Sequence, residues 1–261
     1  MRSAYYMGLC CLMSATPVTL LAASGAATVN ATSAVSADPL LAELSSAFSG
    51  GNLVHQVQLT ANASWHLGNA EDTGTASLSA ATSGASQLTL SLSTGSRTET
   101  ASGQGTNLAC AWASGDGISH DADLTNCWRP VLWFLPALSL QPSLLPSYLG
   151  ASDMGSGTVG FGAETYRHLQ SAFVFPDLSS GLTAVVMQRS VADIGLDPKS
   201  FLPTVLTFSI RPDNGAPSPI AVEIHYANYQ LINGVKIPFT IQRYINGSLQ
   251  LEITVTSAQV S

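Results

Sequence analysis

The residues that decide the fold run from Ile220 to Val255, IAVEIHYANYQLINGVKIPFTIQRYINGSLQLEITV. Apolar side chains recur at every second position in three runs: Ile220, Val222, Ile224 and Tyr226, then Ile237, Phe239 and Ile241, then Leu249, Leu251, Ile253 and Val255. A period of two turns one face of each segment inward, which predicts half-buried strands. Asn233-Gly234 and Asn246-Gly247 separate the runs, and Asn-Gly tolerates the positive φ that a two-residue hairpin turn needs at both positions. The three strands should form an antiparallel meander. No helix-length period interrupts them, which argues against parallel βαβ units.

The same alternation appears upstream. Leu53, His55, Val57, Leu59, Ala61, Ala63 and Trp65 form one face of an expected strand, with Ala76, Leu78 and Ala80, and Leu88, Leu90 and Leu92, repeating the pattern. His55 falls on the apolar side, where a hydrogen-bonded core imidazole is expected. Before these strands, Leu40, Leu41, Leu44 and Phe48 stand at helical spacing. Asp38-Pro39 fits a helix start and Gly50-Gly51 a stop, so Asp38 to Phe48 reads as a short helix.

One segment breaks the period. Trp128 to Leu149 is densely apolar with Arg129 its single charge, and Pro130, Pro136, Pro142 and Pro146 interrupt it. Proline at that density excludes a continuous helix. Short helical turns lying on the open face of the sheet are expected, either as core filling or as a surface that gates or lines a ligand cavity.

At the N-terminus, residues 1–37 carry only Arg2 as a charge, followed by apolar runs at Ala4–Met13 and Val18–Ala23 and then small residues. That is the layout of a secretory signal. Pro17 and the polar residues after Ala23 cut the run short of the ~20 apolar residues of a membrane span. Cleavage is compatible with Ala23, Ala26, Ala34 or Ala37. Taking 1–37 as the signal leaves a single domain over 38–261, within the size range of one large β core. Acidic residues outnumber basic ones 16 to 9 across the 261 residues, which makes nucleic acid an unsuitable partner. Charged residues are only 10 % of the chain, so hydroxyls must build the wet faces, as suits strands. Cys10 and Cys11 leave with the signal. Cys110 and Cys127 remain, most simply as one disulfide in an exported chain, the alternative being two buried thiols.

The C-terminal motifs also resemble a known family. Asp193-Ile194-Gly195-Leu196-Asp197-Pro198, Phe201-Leu202-Pro203, Tyr226-Ala227-Asn228-Tyr229 and Asn233-Gly234-Val235-Lys236-Ile237-Pro238-Phe239 follow one another as in LolA-like proteins. That group includes periplasmic carriers of outer-membrane lipoproteins and the lipid-sensing domain of sigma-factor regulators. The resemblance spans about the last 70 residues of the sequence. It implies a mainly β, α+β fold, a curved antiparallel half-barrel of about ten strands wrapped over short helices with an apolar cavity between. The carriers also hold their closed state with a buried Arg on an early strand, and Leu53–Trp65 contains none.

Candidates for chemistry have duller readings. Gly155-Ser156-Gly157-Thr158-Val159-Gly160 has dinucleotide spacing but lacks the preceding strand and following helix. Ser119-His120-Asp121 holds triad residue types as chain neighbours, which point to alternate sides of an extended chain. Asp116, His120, Asp121 and Asp123 match no EF-hand spacing. No catalytic residue, metal site or cofactor is therefore expected, and the chain is read as a non-enzyme. The expected function is an exported, periplasmic or secreted protein that shelters a hydrophobic ligand or lipoprotein acyl chain. Trp128, Trp133, Phe134 and Leu138 are its expected lid or lining, with Trp65 and Phe239 from the sheet. An envelope protein partner on a self-filled scaffold is the second expectation, and a hydrolase assembled from distant residues the third.

Overall fold

The computed structural model describes residues 35–103, 107–175, 177–212 and 218–261. The expected leader, with Cys10 and Cys11, falls outside them apart from residues 35–37. In chain order the elements are β1 Val35–Ser36, α1 Asp38–Ser49, β2 Gln56–Leu67, β3 Ala70–Ala81, β4 Ser86–Leu92, β5 Gly95–Ser102, β6 Ala109–Ala113 and β7 Ser119–Asp121. There follow α2 Leu124–Cys127, α3 Pro136–Ser139, a 3₁₀ turn Pro142–Leu144, β8 Leu149–Thr158 and β9 Thr165–Phe173. The chain ends with α4 Ser180–Ser190, β10 Ala192–Leu196, β11 Pro203–Ile210, β12 Ile220–Ile232, β13 Val235–Ile245 and β14 Ser248–Val260.

The strands make one antiparallel sheet in the order β1-β8-β9-β10-β11-β12-β13-β14-β2-β3-β4-β5-β6-β7. Its middle is the expected meander. Asn233-Gly234 adopts φ of 49° and 85° and Asn246-Gly247 of 48° and 79°, the double positive φ of a tight hairpin turn. β14 then pairs with β2, which welds the two halves of the chain into one sheet. Pro238 lies inside β13, a strand with neighbours on both sides. Pairing with β14 starts only at Thr240, so the missing proline N–H falls on a locally open edge.

The sheet is strongly bent. From β13 to β5 is five strand steps, about 24 Å on a flat sheet, yet the Arg243 guanidinium lies 2.7 Å from the Glu99 carboxylate. The two ends of that span have curled toward each other, and the apolar positions face the concave side. Val57, Leu59, Ala61 and Ala63 are buried there beside Ala76, Leu78, Ala80, Leu88, Leu90, Ile237, Ile241, Leu251 and Ile253. α1 lies in this trough with Leu40, Leu41, Leu44 and Phe48 buried, and ends at Gly50 in the left-handed conformation. Pro136 and Pro142 open α3 and the 3₁₀ turn, where a missing N–H costs nothing.

Two expectations need correction, and one element is new. The sheet has fourteen strands rather than about ten. The added edge strands are short or built from Ser, Thr and Gly, with little apolar alternation to mark them. β2 begins at Gln56 rather than Leu53, and Leu53 and His55 are exposed. Gln141 holds the backbone of Val54 on both sides, accepting its N–H at 2.9 Å and donating to its carbonyl at 2.7 Å. That fixes Val54 inward and out of phase with the strand, so His55 is not a core imidazole. α4 was not expected either. Only Val186 and Ser190 are buried on it while Leu182, Val185 and Met187 stay exposed, so it carries no helical apolar stripe to read.

Candidate functional site

Between the concave face and the proline-broken segment lies a hollow of about 380 Å³, within the range of small-molecule pockets. Its walls come from the sheet (Trp65, Leu88, Phe173, Phe208, Val222) and from the segment (Val131, Leu132, Trp133, Phe134). The segment is fastened at several points. Tyr226 donates its hydroxyl to the Trp133 carbonyl, and the Leu132 N–H donates to Ser139 Oγ at 3.0 Å. Asn126 bonds both backbone groups of Arg211, at 2.7 and 2.8 Å. Cys110 and Cys127 form a disulfide with Cα atoms 5.5 Å apart. It ties β6 to the end of α2 and borders the hollow.

The hollow is greasy but not uncharged. Arg243 occupies the inward register of β13 after Ile237, Phe239 and Ile241, and is 7 % exposed. Its Nη1 donates to Glu99 Oε1, and its guanidinium lies over the rings of Trp133, at 4.9 Å, and Trp65, at 5.6 Å. Arg97 covers Trp65 as well, at 4.9 Å. Arg129 donates Nε to the Asn126 carbonyl at 2.9 Å and lies 5.8 Å over Phe208. Burial pushes the Glu99 carboxyl up, but Arg243 and Arg129 outweigh burial and hold it below its ordinary value. Burial pushes the Arg129 guanidinium down; Glu99 opposes this and the Arg243 charge adds to it. Glu99 keeps 32 % of its side-chain exposure because it faces the hollow.

Of the residues expected from sequence, Trp65, Trp133 and Phe134 border the hollow. Leu138 at 0 % and Phe239 at 9 % exposure pack in the core beside it, and Trp128 packs against the core from a half-buried position. Sequence reasoning missed Arg243, Glu99, Arg129 and Arg211. Only Arg243 had a readable signal, a charge at an apolar-parity position of a strong strand.

The other motifs resolve into structure. The Gly155–Gly160 run lies mostly in β8, with a bulge between Asp153 and Ser156. Ser119-His120-Asp121 is β7, where His120 stacks on Trp112 with centroids 4.4 Å apart. Asp116 accepts the Ile118 N–H in a turn, and Asp123 caps α2 through Thr125. Among the described residues no group of three or more His, Cys, Asp or Glu is placed to hold a metal ion. A larger depression of about 600 Å³ lies beside α4. Its carboxylates are already engaged, Glu223 by the Phe161 N–H and His225, and Asp193 by His168 and Gln170.

Together these features define a cavity-bearing half-barrel: an open, curved antiparallel sheet over short helices. No family model matches the chain, and no curated protein matches it by sequence. Solved structures align with it along most of its length. A LolA superfamily protein from Nitrosomonas europaea is 12 % identical with a TM-score of 0.49, over 87 % of this chain and 94 % of that one. A DUF1329 family protein from Desulfovibrio piger is 8 % identical at 0.49, over 85 % and 90 %. A Vibrio parahaemolyticus domain, provisionally described as an outer membrane lipoprotein-sorting protein, is 8 % identical at 0.49, over 85 % and 91 %.

Proposed function

We propose that this chain is an exported, non-enzymatic binding protein of the periplasm or the extracellular space that shelters an acyl chain or similar hydrophobic ligand. The observation that carries this reading is the hollow between sheet and segment, about 380 Å³ and walled by Trp65, Trp133, Phe134, Phe173 and Phe208. Burying an acyl chain contributes about 0.8 kcal/mol per methylene, so such a space binds lipid without any catalytic group. The unfilled volume favours a ligand carrier over a scaffold packed by its own side chains. Native mass spectrometry of the protein taken from its own host envelope tests the reading. A co-purifying lipid mass is expected, and apo mass alone at every purification stringency refutes it.

A further inference from the structure

We propose that the hollow selects single-chain amphiphiles with an anionic head, a carboxylate or a phosphate, held by the guanidinium groups of Arg243 and Arg129. The inference rests on the hollow being a ligand cavity and adds what that ligand must carry.

Charge is the first argument. The chain has 9 basic and 16 acidic residues and a net charge of −7, yet among the described residues its hollow is bordered by three arginines and one carboxylate, Glu99. Arg243 and Arg129 both act on the one carboxylate, Glu99, which leaves one positive charge in excess in a partly dry space, where an unpaired charge is costly.

Geometry is the second. The Arg243 guanidinium lies over two indole rings, which take up none of its N–H groups and leave them to recognise oxygens. Glu99 takes Nη1, while Nε is buried with no hydrogen-bond partner among the described residues. Among the described residues Arg129 donates through Nε alone, so its Nη groups are the fork it presents. Carboxylate and phosphate match such forks with paired, charge-assisted hydrogen bonds. A hydroxyl head gains little there and an ammonium head is repelled. Burial and the Arg243 charge both act against the Arg129 cation, and an anion seated between the two relieves that strain.

The test uses the full, disulfide-intact chain with the neutral probe N-phenyl-1-naphthylamine in the hollow at pH 7.5. Dodecanoate, dodecyl phosphate, dodecan-1-ol and dodecylammonium are compared as displacers. The two anions should displace at concentrations about 10- to 100-fold lower than the alcohol, the range for a charge-assisted hydrogen bond; the tighter of the two names the head. Arg129→Gln and Arg243→Gln should each erode that preference about tenfold. Glu99→Gln should strengthen it, because it removes the resident competitor. That sign separates recognition from structural damage, and Arg129→Gln, at a half-buried site, covers the case in which Arg243→Gln does not fold. If all heads displace alike, or Glu99→Gln weakens the anions, anion selection is wrong while the sheltering function stands. If no dodecyl compound displaces or binds, both fall.

Discussion

Replacing Arg243 and Glu99 by Gln, singly and together, asks whether the sheet is bent in solution as tightly as the structure shows. The pair spans five strand steps, so it can couple only if β13 and β5 curl together. The N–O distance is 2.7 Å, with side-chain exposures of 8 % for Arg243 and 32 % for Glu99. Breaking a fully buried pair costs about 3–5 kcal/mol, and an exposed pair is worth about 0.2–1 kcal/mol. This one lies between, because Glu99 opens into the hollow and keeps Arg129 as a second cation. A coupling energy of about 1–2 kcal/mol is expected from the double-mutant cycle. Either single substitution should lower Tm by roughly 2–8 °C in a domain of this size. Urea denaturation of the four proteins at pH 7.5 measures the cycle. The pH dependence has a fixed sign. The folded Glu99 carboxyl sits below its ordinary value of 4.5, so its contribution is complete above that value and is lost as pH falls through the lower, folded one. The difference between the parent and Glu99→Gln should be flat near neutrality and shrink below about pH 4.5. A coupling under about 0.5 kcal/mol, the limit for independent sites, refutes the contact and the curvature argued from it.

Two further outcomes are expected. Leu138→Ala, at a fully buried position, should cost about 2–5 kcal/mol and leave N-phenyl-1-naphthylamine affinity unchanged. Trp133→Ala should weaken probe binding as well, and equal effects of the two on affinity would count against Trp133 as lining. Replacing Cys110 and Cys127 together by Ser opens a closed loop with a sequence separation of 17. About 3 kcal/mol of stability should go with it on the chain-entropy model; thiol titration of the parent should detect no free sulfhydryl at either position.

Much of the fold was readable because its strongest strands have one dry face. The alternation in β2, β3, β4, β12, β13 and β14, with two Asn-Gly turns, gives the meander and its curved continuation directly. β5, β6 and β7 were not readable, since Arg97, Glu99 and Thr100 or Ala111 and Trp112 show no apolar parity. α4 escaped for the opposite reason: it has apolar residues but exposes most of them. At the candidate site, the aromatic members of the proline-broken segment could be found from apolarity. Apolarity could not separate Trp133, which borders the hollow, from Leu138 beneath it, because both are buried.

The polar members were hidden by a deeper cause. Arg243 and Glu99 are 144 residues apart, and their pairing depends on how far the sheet bends, a property of all the intervening strands together. A local pattern records which face a residue takes, not which distant residue the curvature brings to it. A lone Arg on a concave apolar face is itself evidence, because burying it unpaired would cost several kcal/mol. Some partner must be supplied by the fold. Glu99 answers one guanidinium, and Arg129 adds another without a second carboxylate on the wall among the described residues. A sheet that only needed to fill its trough would be served as well by leucine at these positions. That the charges stand there, Arg243 over two indoles and Arg129 over Phe208, fits a space shaped for something that arrives from outside with oxygens at one end and hydrocarbon at the other.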